Sequence, residues 1–99
     1  MTGDLTAVTL EDLGSKGRYF LKLPAGETAE LTFTKVGKRQ IIIEHTGVPD
    51  AFRGRGVGLQ LVARAVEDAR EQGKTIIPLC PFAAAQFRRH PEWGDMLKA

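Results

Sequence analysis

From Thr28 to Thr34 the chain alternates strictly, with Ala29, Leu31 and Phe33 on one side and Thr28, Glu30, Thr32 and Thr34 on the other. A period of two predicts a strand with one buried face. Two more strands flank it. Arg18–Leu23 (RYFLKL) precedes it across a turn, where Pro24 presets one backbone angle and Gly26 tolerates the left-handed region. Gln40–Thr46 (QIIIEHT) follows a second turn at Val36–Lys38, and its three successive isoleucines predict cover on both faces. Joined by short turns, the three pieces read as an antiparallel meander.

The period then changes. Pro49, Gly54, Gly56 and Gly58 break any strand, and Gly58, Leu61, Val62, Ala65, Val66 and Ala69 recur at spacings of three and four. That stripe predicts a helix with one face on the core and Arg64, Glu67, Asp68 and Glu71 on the outer face. Gly73 stands where a left-handed C-cap belongs. Thr75–Leu79 (TIIPL) is a short apolar strand, so strand, helix and strand predict a parallel, right-handed crossover, with pairing interrupted at Pro78. FAAAQFRRH then reads as a helix with Phe82, Ala83 and Gln86 or Phe87 inward; Pro91 ends it, and Trp93 packs the tail. The fold class is α+β: a meander leading into one βαβ unit and a C-terminal helix, in one domain over residues 1–99.

Composition narrows the function classes. The chain has 99 residues, 42% hydrophobic and 26% charged, which suits a small globular domain rather than a disordered chain. A formal net charge of +2, with both signs mixed along the chain, gives no nucleic-acid signature. The apolar runs are far short of the roughly 20 residues that cross a bilayer, and MTGDLTAVTLEDL lacks the basic-then-apolar order of a signal peptide. Cys80 is the single cysteine and forms no internal disulfide. These features lead us to expect a cytoplasmic protein with a free thiol and no membrane or nucleic-acid partner, with a monomer favoured.

The most informative stretch is Arg53–Gly58 (RGRGVG), placed between a strand and a helix. Glycines let backbone amides approach a ligand, and a helix start has unpaired N–H groups and a partial positive charge. The combination accepts a phosphate or pyrophosphate, to which Arg53 and Arg55 add charge-assisted contacts. The plainer reading is a basic loop in which Gly58 permits close helix–sheet packing. A dinucleotide GxGxxG does not fit, because the third glycine comes one residue early. A Walker loop would need Gly-Lys-Ser or Gly-Lys-Thr.

Arg53, Gly56 and Gly58 do fill Arg-x-x-Gly-x-Gly, which resembles the pyrophosphate loop of the GNAT superfamily of N-acetyltransferases. The order HTGVP, RGRGVG, amphipathic helix, PLCPF and RRHPEW is similar to that of the small YjdJ-type members, over Ile41–Trp93. The resemblance implies a minimal GNAT-like fold and acetyl-coenzyme A as the cofactor, held by Thr46, Val48, Arg53, Gly54, Arg55, Gly56, Val57 and Gly58. It also implies that the strand before the loop parts from its parallel neighbour, leaving backbone groups from His45 to Val48 free for the pantetheine arm and thioester. Relatives commonly carry an acidic residue after His-Thr; Gly47 stands there instead, which removes any carboxylate role at that position.

Acetyl transfer to an amine needs a held thioester, a polarised carbonyl, a neutral amine and a route for the proton. His45 is the natural proton acceptor, since imidazole titrates nearest neutrality; by alternation it shares a face with Ile41 and Ile43, opposite Glu44, the weaker rival. Three readings of Cys80 stay open: a packed thiol, a proton donor to the departing coenzyme, or a nucleophile. Arg89 and His90 either meet the adenosine or its 3′-phosphate, or complement the negative end of the last helix. Only Pro24–Glu27 separates the strands Arg18–Leu23 and Thr28–Thr34, so no helices wall the acceptor, and an amine on a protein or peptide is one candidate. The leading function is an acetyl-CoA-dependent N-acetyltransferase. A non-catalytic acyl-CoA binding or sensing module is the second class, and a small RNA-binding domain is the weakest.

Overall fold

A computed structural model describes residues 8–23, 26–50 and 56–97. Strands β1 (Thr9–Asp12), β2 (Lys16–Lys22), β3 (Thr28–Val36) and β4 (Gln40–Gly47) are followed by helix α1 (Val57–Glu71), strand β5 (Thr75–Pro78) and helix α2 (Pro81–Arg89). A 3₁₀ segment, Pro91–Met96, closes the series. The strands lie side by side in sequence order; β1 to β4 are antiparallel neighbours, and β5 runs parallel to β4. The expected α+β architecture is therefore present, with one strand more in the meander than the hydrophobic pattern indicates.

One sheet face carries the core. Tyr19 of β2, Ala29, Leu31 and Phe33 of β3, Ile41 and Ile43 of β4, and Ile76 of β5 are buried against Leu61, Val62, Ala65, Val66 and Ala69 of α1. Those helix positions are the ones the spacing of three and four selects. Among the described residues the opposite face has no such cover: Arg18, Phe20, Thr32, Thr34 and Ile42 are only half-buried. The triple isoleucine thus has a single core side, and Ile42 lies on the other. Gly17 of β2 is needed where it stands, because a β-carbon there would lie 2.6 Å from Cζ of Phe33 and 3.0 Å from the backbone oxygen of Glu11.

One feature of α1 differs from the pattern-based reading. Arg64 and Asp68 are not on a free outer face. Asp68 accepts a 2.8 Å hydrogen bond from the Tyr19 hydroxyl and is bridged by Arg64, whose guanidinium also donates to the Val8 carbonyl at 2.7 Å. These bonds tie α1 across β2 to the start of the described chain. Burial and the Asp68 carboxylate both push the Tyr19 hydroxyl well above the ordinary tyrosine range. The helix ends as expected: Gly73 has φ +69°, and the Lys74 amide reaches back to the Ala69 carbonyl. Beside this end, a cavity of about 50 Å³ is lined in part by Asp12, Tyr19, Lys35, Asp68 and Lys74.

Candidate active site

The site begins where two parallel strands part. Register between β4 and β5 runs from Gln40 opposite Thr75 to Ile43 opposite Pro78 and stops there. Pro78 has no N–H to extend the ladder. The next two amides, of Leu79 and Cys80, both donate to the Ile43 carbonyl at 3.0 Å, after which the chain turns into α2. His45–Gly47 of β4 consequently pair with β3 along one edge and, among the described residues, with no strand along the other. Val48, just beyond, packs against the core.

A β-bulge then decides which side chains face which way. Thr32 pairs with His45 and Phe33 with Ile43, so Glu44 is an extra residue in β4. Directly opposed residues share a face. Thr46, opposite the fully buried Leu31, therefore turns toward the helices, whereas His45, opposite Thr32, turns to the uncovered face. Simple alternation predicts His45 beside Ile41 and Ile43. The bulge reverses that placement, and His45 and Glu44 are both exposed, with Glu44 accepting a 2.8 Å hydrogen bond from the Thr34 hydroxyl.

On the helix side, Thr46 meets Cys80. The Cys80 thiol donates toward the Thr46 hydroxyl oxygen at 3.6 Å. Cys80 is the N-cap residue of α2 and only 6% exposed, although Leu79 before it is 67% exposed. Burial is the largest single influence on the thiol and pushes its pKa up. The Ala83 and Phe82 amides at the helix start, with Thr46, together outweigh that, so the thiol titrates below its ordinary value.

The glycine loop contributes at the same end. Arg53, Gly54 and Arg55 lie outside the described residues. Gly56 is described: it precedes α1 with φ +77°, a left-handed conformation that favours glycine, and among the described residues none but its chain neighbours stands within 4 Å of the place a β-carbon would take. The first intrahelical bond runs from the Gln60 amide to the Gly56 carbonyl, so the amides of Val57, Gly58 and Leu59 precede it; the N-cap residue, Gly56, supplies no side-chain cap, and the first turn holds no acid. The Val57 side chain is buried, leaving only its backbone for a ligand. Gly58 packs against α2 rather than the sheet, since a β-carbon there would lie 2.5 Å from Cζ of Phe82. Phe82 is accordingly 37% exposed, lying over Gly58 instead of in the core.

Arg89 and His90 fall elsewhere. Nine residues of α2 carry them about 13 Å from Cys80. There His90 stacks on Trp93, with ring centres 4.3 Å apart, and its Nδ1 lies 3.0 Å from Glu92 Oε2. Arg70, in the last turn of α1, bonds the Glu92 carbonyl and Asp95. His90 thus belongs with the C-terminal end of α1, away from Gly56, and Arg89 precedes it directly. Among the described residues no group of three or more His, Cys, Asp or Glu side chains is placed to hold a metal ion, and no helix is long and apolar enough to cross a membrane.

Comparison with known proteins agrees with this geometry. A family model described as GCN5-related N-acetyl-transferase matches residues 18–96. The protein NATD1 of Xenopus tropicalis is 32% identical over 65 residues, covering 66% of this chain and 60% of its own length. NATD1 of Bos taurus is 41% identical over the same number of residues, covering 66% and 58%. The chain therefore spans about 60% of the length of the curated relatives it matches. Among solved structures, a GCN5-like protein from Staphylococcus aureus superposes with a TM-score of 0.71 and 29% identity, covering 95% of this chain and 91% of that one. Nourseothricin acetyltransferase, at 24% identity and a TM-score of 0.60, shares the fold over 79% of this chain and 50% of its own.

Proposed function

The chain belongs to the GCN5-related N-acetyl-transferase family, and from that premise we propose that it binds acetyl-CoA where β4 parts from β5 and transfers the acetyl group to an amine. One observation carries the reading: the edge of β4 beyond its last pairing with β5, the start of α1 behind the left-handed Gly56, and Cys80 at the start of α2 converge on the same end of the sheet. Each suits one portion of the coenzyme. The amides of Val57, Gly58 and Leu59, ahead of the first intrahelical bond, favour a diphosphate, with Arg53, Gly54 and Arg55 preceding them in sequence. The edge of Thr46–Val48 offers backbone partners to an amide-bearing arm. When bound, acetyl-CoA supplies the activated thioester. On the uncovered face His45 accepts the proton of the amine, with Glu44 the alternative acceptor, and Cys80 serves at the thiol end. Cytoplasmic location and a place among the small YjdJ-type members belong to the same proposal; PLCPF and RRHPEW support the latter.

Gly47 favours a second reading, a binding module that holds acyl-CoA without turnover, because no carboxylate side chain stands after His-Thr. Mass analysis of lysine peptides and polyamines incubated with the protein and acetyl-CoA separates the two. Acetyl transfer predicts products heavier by one acetyl group, formed only with the protein present. Coenzyme binding with no product from any amine supports the module.

The loop is tested directly by Gly56→Val. A β-branched residue at φ +77° is strained by about 1–2 kcal/mol and places methyl groups in the open space before α1. Calorimetry should show acetyl-CoA affinity at least about tenfold weaker, equivalent to about 1.4 kcal/mol, in a variant that keeps its circular dichroism spectrum. Equal affinity would place the diphosphate elsewhere.

A further inference from the structure

The bulge in β4 gives Thr46 a task separate from holding the coenzyme. With Glu44 as the extra residue, Thr46 is fixed opposite Leu31 and turned into the space before α2, where its hydroxyl is 3.6 Å from the Cys80 sulfur. Threonine's branched β-carbon restricts its rotamers, so the hydroxyl is held in place by the strand. A hydroxyl can both accept and donate. We propose that Thr46 is the positioning residue of the Cys80 thiol, accepting the S–H hydrogen while the thiol is neutral and donating to the sulfur once the proton has left.

Among the described residues, the surroundings leave that role to Thr46. His45 and Glu44 of β4, the nearest titratable side chains in sequence, stand on the opposite sheet face. β5 carries no titratable residue, and the first turn of α1 carries no acid. Arg88 and Arg89 sit in the last turn of α2. What bears on the sulfur is burial, the amides of Ala83 and Phe82, and Thr46. The helix amides stabilise a thiolate from one side, and Thr46 sets which way the sulfur points.

The link to acetyl transfer rests on the function proposed above, but the test does not use the coenzyme. The rate of Cys80 alkylation by iodoacetamide is followed from pH 6 to 10 by intact mass, for the wild type, Thr46→Val and Thr46→Ser. The valine variant keeps the shape and loses the hydroxyl; the serine variant keeps the hydroxyl. The alkylation midpoint of Thr46→Val should rise by about 0.5–1 pH unit, making reaction near neutrality about three- to tenfold slower, while Thr46→Ser stays with the wild type. Should Thr46→Val fail to fold, Thr46→Ala is read in the same way. A wild-type midpoint in the hydroxyl-free variant, or a serine variant displaced as far as the valine one, would overturn the proposal. Either result would leave acetyl-CoA binding to be judged on its own titration.

Discussion

Ile43→Ala should lower unfolding stability by about 2–5 kcal/mol, the range for removing a large aliphatic side chain from a closed core. Ile43 is 0% exposed and pairs with the buried Phe33. Neighbours held by a sheet on one side and α1 on the other cannot collapse fully into the space it leaves. Its carbonyl also receives the amides of Leu79 and Cys80, so loosening the strand there reaches the site. Ile42→Ala is the matched control. It sits on the uncovered face, half-buried, and should cost about 1 kcal/mol or less. Urea unfolding of the two variants reads the difference, and comparable losses would mean that the second face is covered after all.

His45→Ala should reduce the rate of acetyl transfer by about 10²–10⁴-fold, the usual contribution of a positioned general base, while leaving acetyl-CoA affinity unchanged. The separation follows from the bulge, which sends His45 to the face opposite Thr46 and Cys80. Gly47 stands beside His45. A β-carbon at residue 47 would lie 3.0 Å from His45 Nε2, so the imidazole occupies the space beside a glycine that has no side chain of its own. In the double variant His45→Ala with Gly47→Glu, a carboxylate would stand in that region. Carboxylates titrate about two pH units below imidazole, so recovered activity should extend to lower pH. A His45→Ala enzyme with wild-type turnover would transfer the role of base to Glu44 or to solvent.

The parts of the fold that are legible in sequence are those whose side chains alternate or recur because one face is buried. Ala29, Leu31 and Phe33 announce β3, and the stripe from Leu61 to Ala69 announces α1. β1 gives no such sign: of Thr9, Leu10, Glu11 and Asp12 only Leu10 is even half-buried, and the strand exists by pairing with β2 at the sheet edge. The bulge is equally silent. QIIIEHT offers nothing that marks Glu44 as extra, because a bulge is a property of backbone pairing with β3; one skipped residue moved His45 to the other face and brought Thr46 to Cys80. Within the site, the glycine loop and Cys80 are local motifs and can be read directly. The Phe82–Gly58 contact and the displacement of His90 depend on how α2 lies on α1, a long-range arrangement with no local signal.

Acetyl-CoA binding where β4 and β5 part is tested most directly by titrating the ¹⁵N-labelled protein with acetyl-CoA and following each backbone amide. Binding between the strands predicts saturable shifts gathered at Thr46–Val48, Gly56–Leu59 and Cys80–Ala83, with little change around Lys35 and Lys74 at the opposite end of the sheet. No saturable shift at millimolar coenzyme, or shifts concentrated around the cavity beside Tyr19 and Lys74, would contradict it.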